Sequence, residues 1–297
     1  MTRITALLLI AVSISACTST LAIGTAYNSA ANRFNKELLS YADFTAPQEK
    51  SIRNRTAAFH QWHRENQLSQ YRALLLQVIT ALESPGDFTV SNATALTDSA
   101  RELVKGFSQC SPLNQSGNFL KSLTDRQVEQ IAQKIRDKHT ERVKEYRAES
   151  AADRQEKRTK AFEKWMGRAG VPLNTEQREL LTQTLAKQIS LSPRRHALWK
   201  RWSDQLLEKL EHRNDPGFME RVNTHIASLW NMTERHYPQE WQANISLWEE
   251  FLTGFVQRMT TQQSQQLSEK LGKLSNSLTK LAAKPAKVNA QCFGARQ

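Results

Sequence analysis

Apolar residues recur along this chain at spacings of three and four, and this pattern restricts its fold more than any other feature. The clearest run consists of five leucines: Leu267, Leu271, Leu274, Leu278 and Leu281. This spacing places them on one face of a helix, suited to packing against another helix. No stretch alternates as a half-buried strand does, and only 10 glycines and 8 prolines interrupt 297 residues. We therefore predict an all-α fold, an elongated multi-helix bundle with a long, partly solvent-exposed helix.

Four predicted helix starts share one pattern, in which Thr or Asn follows an apolar residue and Gln comes three positions later. They are Phe44-Thr45 with Gln48, Leu123-Thr124 with Gln127, Leu173-Asn174 with Gln177, and Met259-Thr260 with Gln263. The pattern is typical of a capping box, in which the two side chains satisfy free backbone N–H groups at the helix start. The first predicted helix of this kind runs from about Ala46 to Leu82, and the second runs from Thr124 to about Gly167.

The first residues predict a location. Residues 1–16, MTRITALLLIAVSISA, combine Arg3 with an apolar run that is too short to span a bilayer. Ile14-Ser15-Ala16-Cys17 matches the bacterial lipobox, so we expect cleavage before Cys17, acylation of its thiol and amine, and tethering to the lipid bilayer. A plain secretory signal is the alternative. Because Thr18 rather than Asp follows the cysteine, we expect an outer-membrane protein that faces the periplasm.

The expected organisation has four parts: a signal peptide (1–16), a tether (17–24), a helical bundle (25–284, with a subdivision considered near 167–175) and a loose C-terminal tail (285–297). Two cysteines remain after cleavage, Cys110 and Cys292. They could pair in an oxidising periplasm or remain free thiols. Residues 147–160 contain no large apolar side chain. They predict a solvated helix that projects from the bundle, with an arm that binds a partner as the alternative.

The segment FHQWHRENQLSQY, residues 59–71, provides the first group of candidate binding residues: Trp62, His63, Arg64 and Tyr71. A structural role has Trp62 packed between helices and Arg64 paired with a carboxylate. The alternative is a pocket for a client peptide or an anion. His60 and His63 could share a metal from one helix face, but no HExxH motif or cysteine cluster supplies further ligands. We therefore expect no metal and no cofactor.

The Trp62-His63-Arg64 segment resembles an uncharacterised family of proteobacterial lipoproteins that carry WHR-x-x-x-L-P-x-Y after a helix start. Members of that family also have a lipobox and later L-T/N-x-x-Q helix starts, so the resemblance covers most of the chain and implies its fold and location. Ser69 stands where the family usually has Pro, which favours an uninterrupted helix here. The four helix starts are also similar to the LTxxQ motifs of Spy- and CpxP-type periplasmic chaperones, which implies a cradle for unfolded clients.

A second group of candidate binding residues lies in residues 192–202, where basic side chains alternate with Trp199 and Trp202: Arg194, Arg195, Lys200 and Arg201. Such a helix could contact anionic lipid headgroups. Alternatively, the tryptophans belong to the core and the basic residues face water. The net charge of +12 is compatible with an anionic envelope surface, and the expected compartment excludes nucleic acid.

No sequence motif predicts a catalytic centre, since the chain has no Gly-rich phosphate loop and no recognisable Ser/His/Asp order. We predict a non-enzymatic lipoprotein with a chaperone-like binding role toward unfolded or exported polypeptide. One alternative is an assembly lipoprotein that docks another envelope protein through residues 147–160 or the leucine face. The other is an enzyme with an unrecognised helical site.

Overall fold

A computed structural model describes residues 20–294, with side chains described from Ile23 onward. In this range the chain forms helices and no β-strand, which confirms the all-α class. The thirteen α-helices of the described range are α1 Thr20–Leu39, α2 Ala46–Asn66, α3 Leu68–Glu83, α4 Val90–Gln109, α5 Gly117–Lys121, α6 Asp125–Ala148, α7 Ala151–Arg168, α8 Thr175–Lys187, α9 Ser192–Glu211, α10 Phe218–Ala227, α11 Met232–His236, α12 Pro238–Gln257 and α13 Thr261–Ala282.

The predicted signal peptide (1–16) and Cys17 lie outside the described residues. None of the helices between residues 20 and 294 combines the length and the apolar content that a membrane span requires. Helix α1 begins at Thr20, and Ile23 is buried within the bundle. The helix therefore overlaps the predicted tether (17–24).

All four predicted capping boxes form. In three of them the cap side chain accepts the N3 backbone N–H, at 3.2 Å for Thr124, 2.8 Å for Asn174 and 3.1 Å for Thr260. Two further boxes begin α4 and α7, where Asn92 and Asp153 replace Gln at the third helical position. A search for Gln alone misses them, although their short polar side chains make the same bond.

The glutamines of the four predicted boxes pair with one another. Gln48 and Gln127 exchange two amide hydrogen bonds, at 3.2 and 2.7 Å, and Gln177 and Gln263 exchange two at 3.1 Å. Each Oε1 also accepts the N–H of its own cap residue. Each Nε2 also donates to the carbonyl two residues before the partner's cap; these carbonyls belong to Asp43, Ser122, Pro172 and Arg258. The same contact therefore joins α2 to α6 and α8 to α13.

The predicted helix over residues 46–82 is divided at Gln67, so the expectation of an uninterrupted helix is wrong. The Gln67 side chain is buried, and its Nε2 donates to the Leu103 carbonyl of α4 at 3.3 Å. Gly106 makes room for this amide, because a Cβ there would lie 2.6 Å from the same nitrogen. A contact with a third helix therefore accompanies the break between α2 and α3.

The predicted helix after Thr124 is also divided, because Glu149 is extended (φ −101°, ψ 137°) and Ser150 caps a new helix. The expectation that residues 147–160 project from the bundle is wrong. Helix α7 lies against α8, and Gln155 Nε2 donates to an α8 carbonyl at 3.2 Å. Helix α6 is the long, partly exposed helix, since its buried residues all lie in its first two turns.

The largest core cluster includes residues of α3, α4, α7, α8 and α12, among them Leu82, Met166, Leu181 and Phe251. The cluster contains residues that precede and residues that follow 167–175 in the sequence, so the subdivision considered there does not divide the core. The leucine face of α13 is also internal. Leu278 and its neighbours are buried against α1 and α3. The leucine face proposed for docking another protein is therefore already covered by this chain.

Candidate functional site

A cleft of about 2410 Å³ opens between two groups of helices. Helices α3 and α4 form one side, and α6, the first half of α9 and the α10–α11 region form the other. Small-molecule pockets usually measure about 300–1,000 Å³, so this cleft has room for a much larger ligand.

The charged side chains that α4 presents to the cleft, which we name the α4 wall, have salt-bridge partners on α4 itself or, for Arg101, on α11. Arg101 donates to Glu234 at 2.7 Å and lies 3.7 Å from Asp98. Lys105 lies 3.3 Å from Glu102. Such exposed pairs contribute little to stability, but they leave this side with little excess charge of either sign.

The opposite side, which we name the α6–α9 wall, differs in chemistry. It consists of His139, Arg142 and Tyr146 from α6, and Arg195, His196 and Trp199 from α9. The ring centroids of His139 and His196 lie 6.1 Å apart, and those of Tyr146 and His196 lie 5.5 Å apart. Imidazole, guanidinium and aromatic groups therefore meet on one surface.

The α6–α9 wall has an excess of positive potential. Burial lowers the pKa of His139, and Lys200 and Arg142 lower it further, against the opposite effect of Asp204. Burial also lowers the pKa of His196, and the neighbouring His139, Arg195 and Arg142 act in the same direction. Both imidazoles are therefore neutral near pH 7, and both would gain a proton more easily beside an anion.

Two polar ring atoms of residues that line the cleft are unsatisfied. Nδ1 of His139 and Nε1 of Trp241 are buried, and neither has a hydrogen-bond partner among the described residues. Trp241 belongs to α12 and lines the same cleft. Buried polar groups normally have a partner, so these two atoms are exceptions among the side chains of the residues that line the cleft.

The Trp62-His63-Arg64 segment lies outside the lining of the cleft and packs against α1. His63 Nδ1 and the Tyr27 hydroxyl share a hydrogen bond of 3.0 Å. Burial lowers the pKa of His63 to about 3, and His60 contributes to the shift. Arg64 donates to the Asn28 side-chain oxygen at 3.0 Å. The prediction that Arg64 pairs with a carboxylate is therefore wrong.

The remaining residues of that segment also contact neighbouring side chains. Trp62 stacks on Phe59 at 5.7 Å, and the Tyr71 ring lies 5.5 Å from that of His63. Burial raises the pKa of Tyr71 to about 12. His60 Nε2 donates to the Tyr27 carbonyl at 3.2 Å. Between residues 20 and 294, no three His, Cys, Asp or Glu side chains group as metal ligands.

The four basic residues near the start of α9 do not share one face. Arg195 lines the cleft, whereas Arg194 pairs with Glu240 and lies over the Tyr237 ring at 5.0 Å. Arg201 is exposed. The other basic side chain, Lys200, binds Asp204 at 2.8 Å. Of the two tryptophans, Trp202 is buried and donates to the His225 carbonyl at 3.0 Å.

Cys110 and Cys292 form a disulfide that lines the cleft. The segment after α13 returns along α2, where Gln291 N–H donates to the Ala58 carbonyl at 3.1 Å. Phe293 is buried, and the Arg55 guanidinium lies 3.9 Å from the centre of its ring. The expectation of a loose tail is therefore wrong as far as residue 294.

A family model matches residues 40–235, which is 196 of the 297 residues, and describes a family of unknown function, DUF6279. The chain belongs to this family. The range matched by DUF6279 contains every residue of both walls, and of the cleft lining only Trp241, Cys292 and Gly294 lie outside it. No curated protein and no solved structure matches the chain.

Of the residues that line the cleft, the sequence analysis named Arg195 as a candidate binding residue, Trp199 as part of the same segment, and Cys110 and Cys292 as a possible disulfide. It missed the α6 side of the DUF6279 cleft. The signal was present, because His139, Arg142 and Tyr146 are spaced three and four apart and so share one helix face. They continue the helix face of Val128, Ile131 and Ile135. An aromatic and basic face that continues where an apolar stripe stops indicates a lining surface.

Proposed function

We propose that this chain is a membrane-anchored lipoprotein of the periplasm and that its cleft binds extended segments of other polypeptides without catalysing a reaction. The observation that carries the proposal is the size of the cleft, about 2410 Å³. A space of that size fits several consecutive residues of an extended chain rather than one metabolite.

The lining of the cleft suits an extended backbone. Four large aromatic side chains line it: Tyr146, Trp199, Trp230 and Trp241. They offer apolar area with few rotatable bonds, which keeps the entropy cost of binding low. On the opposite side, Gln70 and Gln77 are exposed on α3. A Gln amide can donate to a backbone carbonyl and accept from a backbone N–H.

The proposed anchor rests on the lipobox, Ile14-Ser15-Ala16-Cys17. An acyl chain on Cys17 would leave two residues before the first residue of α1, Thr20. This connection spans about 10 Å when extended. The bundle would therefore be held close to the bilayer surface, and Thr18 points to the outer membrane. The LTxxQ-like glutamines add no client site of their own, since each is fully used in joining helix starts.

A site-specific cross-linking experiment tests the function. The full chain, purified in neutral detergent, would carry a photoreactive phenylalanine in place of Gln77, which lines the cleft. The matched control carries it in place of Gln262, an exposed residue outside the cleft lining. An unfolded, uncharged client polypeptide should cross-link at position 77 and not at position 262. Equal labelling at both positions, or labelling at neither, contradicts the proposal.

A further inference from the structure

We propose that the α6–α9 wall is the anchoring subsite of the cleft and that it takes an acidic polypeptide segment, with a carboxylate beside an aromatic side chain. This inference rests on the proposed function of the cleft. It adds the chemistry that selects one client segment over another.

The first argument is the difference in charge between the two sides of the cleft. The cationic side chains of the α4 wall are paired with Asp98 and Glu102 of α4 and with Glu234 of α11. On the other side Arg142 forms no salt bridge among residues 20–294, and Arg195 is half-buried. Guanidinium groups bind carboxylates through two parallel hydrogen bonds. A carboxylate in the cleft is therefore attracted to the α6–α9 wall.

The acidic residues close to this wall do not cancel its charge. Glu149 pairs with Lys157, and Asp204 pairs with Lys200 at 2.8 Å. Glu145 lines the cleft and is exposed, as Arg142 is, so this carboxylate offsets one of the positive charges of Arg142, Arg154 and Arg195. A carboxylate from a client would thus supply the charge that the wall lacks.

The second argument is the pair of imidazoles. The charged and titratable groups around them come from three helices: Arg142 and Glu145 from α6, Arg154 from α7, and Arg195, Lys200 and Asp204 from α9. Most of these groups are cationic, and they oppose protonation of His139 and His196. A bound carboxylate favours protonation, so binding is accompanied by proton uptake and strengthens as the pH falls.

The third argument is the aromatic part of the wall. The Arg154 guanidinium lies 4.3 Å from the centre of the Tyr146 ring, which holds that ring in place. Trp199 is held by stacking on Trp202 at 5.2 Å. Fixed rings of this kind pair with an aromatic side chain of a ligand. A polypeptide suits this site better than a lipid surface, because the wall faces the inside of a cleft, whereas Arg201 faces outward.

The experiment compares two fluorescent peptides of about 12 residues that differ only in charge. One contains Trp flanked by two Glu, and the other contains Trp flanked by two Gln. Fluorescence anisotropy with the full chain in neutral detergent gives their dissociation constants. We expect the Glu peptide to bind about tenfold more tightly, the usual effect of one or two charge-assisted hydrogen bonds.

Substitutions then assign the preference to the wall. Arg142→Gln should weaken binding of the Glu peptide about tenfold and leave the affinity for the Gln peptide unchanged. Arg147→Gln is the matched control, since Arg147 is an exposed arginine of the same helix outside the cleft lining. It should change neither affinity. Binding of the Glu peptide should tighten severalfold from about pH 7.5 to about pH 5.5, and His139→Gln with His196→Gln should abolish that change.

Three outcomes overturn the subsite. If the unaltered chain binds the Glu and Gln peptides with equal affinity while cross-linking at position 77 persists, the acidic preference is rejected. The proposed function is then unaffected. Failure of both peptides to bind, together with failure of the cross-link, rejects the proposed function itself. Binding to vesicles of anionic phospholipid that depends on Arg142 and not on Arg201 reassigns the wall to a lipid. The two-peptide comparison uses the unaltered chain, so it decides the question even if a variant fails to fold.

Discussion

Gln177 and Gln263 lie 86 residues apart in the sequence, yet their side-chain amides exchange hydrogen bonds of 3.1 Å in both directions. Each oxygen also accepts the N–H of its own helix cap, and each nitrogen also donates to the loop of the partner. Gln48 and Gln127 repeat this arrangement. One motif thus caps a helix and joins it to a second helix start.

We expect Gln263→Leu to lower the free energy of unfolding by about 2–3 kcal/mol, because it removes both amide bonds to Gln177 and the bonds to the Thr260 N–H and the Pro172 carbonyl. Gln262→Leu is the matched control on the same turn. Since Gln262 is exposed, its effect should stay within about 0.5 kcal/mol. Denaturant titrations measure both values, and similar losses for the two variants would show that the pair is not a stabilising contact.

Two glycines provide a matched test of the helix packing. A Cβ on Gly117 would lie 3.0 Å from the backbone of Met219, whereas a Cβ on Gly272 in α13 would meet nothing within 4 Å. Gly117→Ala should therefore destabilise the fold by about 1–3 kcal/mol. Gly272→Ala should stabilise it by about 0.5–1 kcal/mol through helix propensity. Thermal unfolding of both variants checks the signs, and a stabilised Gly117→Ala variant would contradict the α5–α10 contact.

The disulfide between Cys110 and Cys292 closes a separation of 182 residues. Chain entropy predicts a loss of up to about 5 kcal/mol of stability when it is removed. Replacing both cysteines with serine should lower the unfolding free energy and also remove its dependence on reductant. The wild-type chain, measured with and without reductant, is the control. If reductant leaves wild-type stability unchanged, the disulfide does not contribute to the fold.

Acidification should destabilise the protein through His63. The folded state lowers the pKa of His63 to about 3, whereas an unfolded histidine has a pKa near 6.5. Below about pH 6.5 His63 therefore binds a proton in the unfolded chain but stays neutral in the folded chain. The contribution of neutral His63 to the free energy of unfolding is complete above that pH. It decreases as the pH falls and is about 2 kcal/mol smaller at pH 5.

His63→Gln should flatten this pH dependence, since glutamine does not titrate. The slope of the unfolding free energy between about pH 7 and pH 4 is the quantity to compare. Burial also lowers the pKa values of His60 and His225, so part of the slope should remain. Parallel slopes in the wild type and the variant would show that His63 is not the group responsible.

Local patterns predicted the helical class and the four helix starts because a capping box involves only residues three positions apart. They did not predict the break at Gln67, whose amide is buried against Leu103 and Gly106 of another helix. They also did not predict the corner at Glu149, since a search for Gln at the third helical position passes over the Ser150 box. Arg64 was assigned a carboxylate, but its partner is Asn28 on α1. The partners of Gln67 and Arg64 are each 36 residues away in the sequence, so a local pattern does not identify them.

Sequence patterns alone establish that this chain forms helices and where several of them begin, and they predict Cys17 as the site of an anchor. These properties depend on side chains within one turn of each other or on a short linear motif. The tertiary structure alone decided that four capping glutamines join in pairs, that the leucine face of α13 is internal, and that a cleft separates a charge-paired wall from a cationic and aromatic one. Each of these depends on side chains from helices that are distant in sequence, so their positions follow only from how the whole chain packs.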